Sequence, residues 1–193
     1  MKKMMNDFVE NMTGRKALVI LGIFVIIWWL IDFSPIGVAR LVEITGGVGI
    51  LDFETRYSAD FAYNWLESMG EVGRNFHLTR IMPLDIIFPP CFALMQFAFI
   101  ALLMKATTNN GSRVRCFAAF PVFYTLLDWT ENICLTTVMI NYPIRMDTLA
   151  VICGWITSIK KTVILIDIIL IIVHFVLLLN KKIKGVFNAK IKR

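Results

Sequence analysis

Four stretches of mainly apolar residues dominate the chain, at 17–33, 83–104, 114–140 and 149–179. Each approaches or exceeds the roughly 20 residues a helix needs to cross bilayer hydrocarbon. Such runs are too long for the core of a small soluble domain. They predict an all-α integral membrane protein, a four-transmembrane-helix bundle. The composition agrees, with 58% hydrophobic and 18% charged residues against about 45–50% and about 25% in soluble domains. A water-soluble enzyme and a disordered chain are therefore excluded. No internal repeat is evident, so residues 1–193 read as one membrane domain.

The basic residues set the expected orientation. Lys2, Lys3, Arg15 and Lys16 precede the first stretch, Lys105, Arg113 and Arg115 follow the second, and Lys181, Lys182, Lys184, Lys190, Lys192 and Arg193 follow the fourth. That puts 13 of the 20 Lys and Arg on one side, the cytoplasmic side under the positive-inside rule. The expected layout has cytoplasmic segments at 1–16, 105–113 and 180–193, and external segments at 34–82 and 141–148, most simply in a plasma membrane. The net charge of +6 then reports topology, and no nucleic-acid partner is expected. The first stretch reads as a retained span rather than a cleaved signal, because its apolar run is long and no A-x-A-like site follows.

The external segment 34–82 is expected to form a cap. Val38–Ile44 and Gly49–Glu54 alternate in part around Gly46-Gly47, which fits either a short hairpin or a surface loop. Ser58 is a good N-cap for an amphipathic helix from Ala59 to Met69, and Gly70 is suited to stop it. Tyr63 and Trp65 are expected at the membrane interface. A second helix should start near Glu71 and pass Arg74, His77 and Arg80, with kinks at Pro83 and Pro89-Pro90.

Ionisable residues inside the apolar stretches are the functional signal, since each costs at least about 2.5–3.5 kcal/mol to insert. Asp85 lies in the second stretch, Asp128, Glu131 and Asn132 in the third, and Lys160, Lys161, Asp167 and His174 in the fourth. At about 1.5 Å per residue, Asp85 and Lys160 come out roughly 30 Å from the cytoplasmic edge, Glu131 about 24 Å and Asp128 and Asp167 near 20 Å. Tyr124, Asp128, Glu131 and Asn132 share one helical face. So do Asp85 and Gln96 on the second stretch, and Lys160, Asp167 and His174 on the fourth. Lipid cannot solvate such faces, so they should turn inward. Lys161 lies off that face and is expected to snorkel to the outer interface.

Four acids against two lysines and one histidine leave carboxylates over after simple pairing. This predicts an outward-opening polar pocket for a small polar or amphipathic ligand, an ion or a lipid headgroup. Asp85, Asp128, Glu131, Asn132, Lys160, Arg80 and Tyr124 would bind it, with Gln96, Asp167 and His174 as an ion or proton path. One alternative is a lipid- or isoprenoid-modifying enzyme using Asp128, Glu131 and Lys160 in acid–base chemistry. Another is a structural or regulatory membrane protein whose ion pairs only lock the helices. Expected partners are membrane lipids, a small-molecule or lipid ligand, and a second copy or another membrane protein.

Cys91, Cys116, Cys134 and Cys153 have unrelated spacings and no C-x-x-C, so thiol redox chemistry is not expected. No metal-ligand, P-loop, G-x-S-x-G or dinucleotide motif is present, and no metal or cofactor is expected. The layout of four spans with a large first external loop resembles the claudin-type arrangement in topology alone. The segment 34–82 lacks the W…G-L-W…C…C signature and contains no cysteine.

Overall fold

The computed structural model describes residues 2–191, with side chains through Lys184. The termini of the expected basic tail, Lys190, Lys192 and Arg193, therefore fall outside the described side chains. The chain is all-helical, with no strand among the described residues. Seven α-helices follow in order: α1 Lys2–Asn11, α2 Gly14–Asp32, α3 Val38–Ile44, α4 Ala59–Phe76, α5 Met82–Thr107, α6 Pro121–Asn141 and α7 Asp147–Ile191. Among the described residues, three helical stretches are long and apolar enough to cross a membrane: Gly14–Asp32, Ala59–Thr107 and Asp147–Lys184. The third expected span is not among them. Its helix is α6, in which buried Asp128, Glu131 and Asn132 interrupt the apolar run. Helix α6 packs against both α5 and α7, and α5 also packs against α2 and α7.

That third stretch also starts later than its apolar run suggests. Residues 113–119 form a 3-10 turn, and α6 begins at Pro121. A proline lacks the N–H of an inner turn but fits the first turn of a helix, so Pro121 sets the boundary. In α5, Pro90 leaves the Ile86 carbonyl without its helical donor, and the Trp129 indole N–H from α6 donates to that carbonyl at 3.0 Å. The Thr125 hydroxyl donates to the Pro89 carbonyl at 3.2 Å. An interhelical donor of this kind lets proline persist within a buried helix. A π-turn at His77–Ile81 joins α4 to α5.

The segment between α2 and α5, expected as a cap, is helical, and of the two alternatives there, hairpin or surface loop, the hairpin does not form. Val38, Leu41, Val42 and Thr45 recur at helical spacing, with Val38 and Leu41 buried. Burial of that face outweighs the β-preference of the valines. Two bonds close α3, from Gly46 N to Glu43 O at 3.4 Å and from Gly47 N to Val42 O at 2.8 Å. This is the two-bond C-terminal cap that requires a left-handed residue, and Gly46 has φ +69°. The second expected strand is a 3-10 turn, Leu51–Phe53.

The Ser58 hydroxyl caps α4, accepting from Phe61 N at 3.2 Å. The expected stop at Gly70 is a break in backbone geometry, φ 62° and ψ 179°, after which the helix resumes. Tyr63 and Trp65, expected at the membrane interface, are buried within the protein, where the Trp65 indole donates to the Gly49 carbonyl at 2.8 Å.

Buried apolar residues gather at the two ends. One cluster joins the cap to α6 and α7 through Leu41, Leu66, Ile81, Val138 and Ala150. The other seats α1 under α5 through Met5, Val9, Ile100, Ala101 and Met104. Along α6 and α7, Asp128, Glu131, Lys160 and Asp167 lie between these clusters, and His174 lies past Leu170 and Ile171 of the second. At the α1 end Arg115 is buried. Its Nη1 donates to Glu10 Oε1 at 2.6 Å and Asn6 Oδ1 at 2.8 Å, and its Nε donates to Thr108 Oγ1 at 3.0 Å.

Candidate functional site

The site is built on Lys160 of α7, which is 3% exposed. Its Nζ lies 2.8 Å from Asp128 Oδ1 and 2.6 Å from Glu131 Oε2, both on α6, and pairs with Asp52 Oδ1 from the cap. Helices α6 and α7 run antiparallel, so Asp128 opposes Lys160 while Glu131, nearly one turn on, opposes Thr157. The Thr157 hydroxyl donates to Glu131 Oε1 at 2.5 Å, and the Asn132 amide donates to Asp128 Oδ2 at 3.1 Å. Tyr124, buried one turn along α6, faces Asp128. Asp85 on α5 is half-buried beside Asn132. The Tyr57 hydroxyl from the cap is buried next to Thr157 and Glu131 with no hydrogen-bond partner.

Asp52, Asp128 and Glu131 each place one carboxylate oxygen within 4.8 Å of the other two. With every group ionised, these three carboxylates and one ammonium sum to −2. At that spacing, each carboxylate pair repels by about 3–4 kcal/mol for an effective dielectric near 20. Lys160, 2.8 Å from Asp128 and 2.6 Å from Glu131, offsets that pairwise repulsion, but the cluster keeps a net charge of −2. The donor set is that of a cation site, with the Lys160 ammonium already inside it.

The opening of the site lies at the cap. Asp52 retains 28% of its side-chain exposure, against 2% for Asp128 and Glu131. Burial alone would raise the Asp52 carboxyl, but the adjacent Lys160 ammonium outweighs it and holds the group below the usual carboxylate range. Burial pushes the Tyr57 phenol up, and the nearby Cys153 and Glu131 add to that. The turn carrying Asp52 is tied to α7 at several points. Lys161 Nζ donates to the Phe53 carbonyl at 2.9 Å, the Ser158 hydroxyl donates to the Thr55 carbonyl at 2.7 Å, and Arg56 lies 3.6 Å over the Trp155 ring. Lys161 thus fastens the cap to α7. A Cβ on Gly154 would sit 2.3 Å from the Tyr57 carbonyl oxygen, so only glycine lets the cap backbone lie this close to α7.

Beside the cluster a groove of about 640 Å³ runs between α5 and α6, lined by Met82, Pro83, Ile86, Trp129, Ile133 and Asn132 among others. Asn132 belongs to both features, since its amide also holds Asp128.

Of the residues expected at the site, Asp128, Glu131, Asn132, Lys160 and Tyr124 come together, with Asp85 at the edge. Arg80 does not join them: it is exposed on the π-turn. Arg74 donates to the Leu66 carbonyl at 2.7 Å, and His77 packs edge-on against Trp65. Gln96, Asp167 and His174 are all buried farther along α5 and α7. Asp52 was not expected. In the sequence it sits in a short run between Gly49 and Glu54 and resembles any solvated loop acid; its flanking Leu51, which is buried, is the one local hint.

The chain matches no protein-family model, and neither a curated protein nor a solved structure is detectably similar to it, so the site stands on its own geometry.

Proposed function

We propose that the chain is a multi-pass membrane protein that binds the cationic headgroup of an amphipathic ligand at the Asp52–Asp128–Glu131 cluster. In this reading α2, α5, α6 and α7 cross the bilayer as a four-helix bundle. Residues 34–82 cap its external end, and both termini face the cytoplasm of a plasma membrane. The basic flanks at 2–16, 105–115 and 181–193 support that orientation. The observation that carries the binding role is the surplus of negative charge: two buried carboxylates and the partly exposed Asp52 share one lysine. Intramembrane ionisable groups of this kind mark functional sites by default. The groove meeting the cluster at Asn132 supports the amphipathic class, with an apolar tail between α5 and α6 and a headgroup among the acids.

A second reading has its own support. Asp52–Lys160, Lys161–Phe53, Ser158–Thr55 and Arg56–Trp155 all join the same two segments, as they would if the cluster served only to fasten the cap. Purified protein in a non-ionic detergent separates the two. Dodecylammonium should raise the melting temperature of the wild type by several degrees, with dodecanol as the uncharged control. Glu131→Gln and Asp128→Asn should abolish that rise. A wild type indifferent to the amine, or variants that respond equally, would leave only the fastening role.

A further inference from the structure

The fourth helix carries a second polar feature that the cluster does not use. Lys160, Asp167 and His174 lie seven residues apart along α7 and are 3%, 0% and 5% exposed. Seven residues are about two turns, so each step along this face is about 10.5 Å. Both carboxylate oxygens of Asp167 lack a hydrogen-bond partner, as does Oε1 of Gln96, which is 3% exposed on the neighbouring α5. Among the described residues, no ion pair from α2, α5 or α6 reaches Asp167. A lone ionised carboxylate in an apolar interior is so costly that such a group carries a proton or meets water.

The far end of the face shows which atom would take that proton. The Thr107 hydroxyl donates to the Leu103 carbonyl at 2.7 Å. Its oxygen, 2.8 Å from His174 Nδ1, is therefore left to accept. An imidazole that donates from Nδ1 to this oxygen leaves Nε2 as the free base. His174 lies near the α1 end, where Lys181 donates to the Ala106 carbonyl at 2.9 Å.

We propose that Asp167 and His174 form a proton relay between the acid cluster and the opposite end of the molecule. The Asp167 carboxyl is the midway donor and His174 Nε2 the acceptor. A proton leaves Asp167 through water held by Gln96 and arrives on Nε2. The resulting imidazolium releases a proton to solvent at the α1 end, and Asp167 is reprotonated from the cluster side past Tyr124. No bond other than O–H and N–H forms or breaks. Besides Asp167 and His174, the titratable groups along the path include Tyr124 on α6 and the cluster itself, with Lys181, Lys105 and the Arg115–Glu10 pair at the far end. The relay rests on the reading that α7 crosses the bilayer with the cluster toward one side.

The test is proton flux into liposomes of neutral phospholipid that hold the full-length protein and trapped pyranine, driven by a potassium gradient with valinomycin. It is run with and without dodecylammonium. The wild type should acidify the lumen at least ten-fold faster than protein-free liposomes in at least one condition. Asp167→Asn and His174→Phe should each remove most of that excess, while Asp167→Glu retains it. Melting temperatures in detergent confirm that the variants are folded. A protonated-carboxyl infrared band missing from Asp167→Asn would locate the proton. Wild-type flux no faster than that of protein-free liposomes in both conditions, or unchanged flux in folded Asp167→Asn, overturns the relay. Amine binding is read separately by the melting shift. Flux without that shift sinks the headgroup site alone, and the shift without flux sinks the relay alone.

Discussion

Lys160 of α7 and Arg115 of the turn before α6 are both basic and both almost wholly buried, yet their surroundings differ in kind. Arg115 meets one carboxylate, Glu10, and its remaining donors meet the neutral oxygens of Asn6 and Thr108. The planar guanidinium is nearly saturated and the charges balance, as in a structural pair. Lys160 meets three carboxylates and so leaves negative charge over. A fold that needed only a fastening could have used the first arrangement twice. Balanced pairs hold the molecule together, whereas a surplus held out of water needs something else to offset it.

The most drastic way to probe this contrast is to remove each cation. Lys160→Met strands the buried Asp128 and Glu131 and should cost more than about 3–5 kcal/mol, the usual penalty for breaking a buried pair. Arg115→Met should cost less, about 1–3 kcal/mol, because Glu10 keeps 36% of its side-chain exposure and can turn to solvent. Denaturation in mixed micelles ranks the two, and a larger loss for Arg115→Met would reverse the comparison.

Removing single carboxylates should give effects of opposite sign. Glu131→Gln relieves repulsion within the cluster and should leave the melting temperature unchanged or raise it. Glu10→Gln weakens a balanced pair and should lower stability by about 1 kcal/mol. Equal losses at both ends would mean that the cluster is balanced after all.

A modest, pH-dependent effect is expected at Asp52, which is partly open to solvent. Asp52→Asn should cost about 1 kcal/mol at neutral pH, a value reduced for its exposure. Because the folded carboxyl titrates below its ordinary value of about 3.9, its contribution is complete above that pH. The contribution is lost as the pH falls through the lowered folded value. The difference between variant and wild type should therefore vanish in acid, and a difference that grows there would show that Asp52 is held differently.

Much of this architecture could be read from residue order alone. Helical spacing put Asp128, Glu131 and Asn132 on one face and Lys160, Asp167 and His174 on another, and burial of those faces follows from the absence of water in lipid. Ser58 and Gly70 marked real features of α4 because capping and left-handed geometry are local. What escaped depends on contacts between distant segments. Asp52 gains its role only because Gly154 admits the cap backbone against α7. The β-branched residues near Val38 suggested a strand until a buried helical face overrode them. Helix α1 and Arg115 were passed over as basic flank, although Met5, Val9 and Met12 share one helical face while Asn6 and Glu10 are one turn apart.

The bond from the Trp129 indole to the Ile86 carbonyl bears on how the groove between α5 and α6 behaves. Sliding or parting the two helices would return that proline-orphaned carbonyl to an apolar setting, where an unsatisfied polar group costs several kcal/mol. The groove is therefore a slot of set gauge and not a hinge. If the groove takes the tail of the proposed ligand, its selectivity should depend on thickness, with straight chains admitted and bulky or branched ones refused at the Trp129 rung.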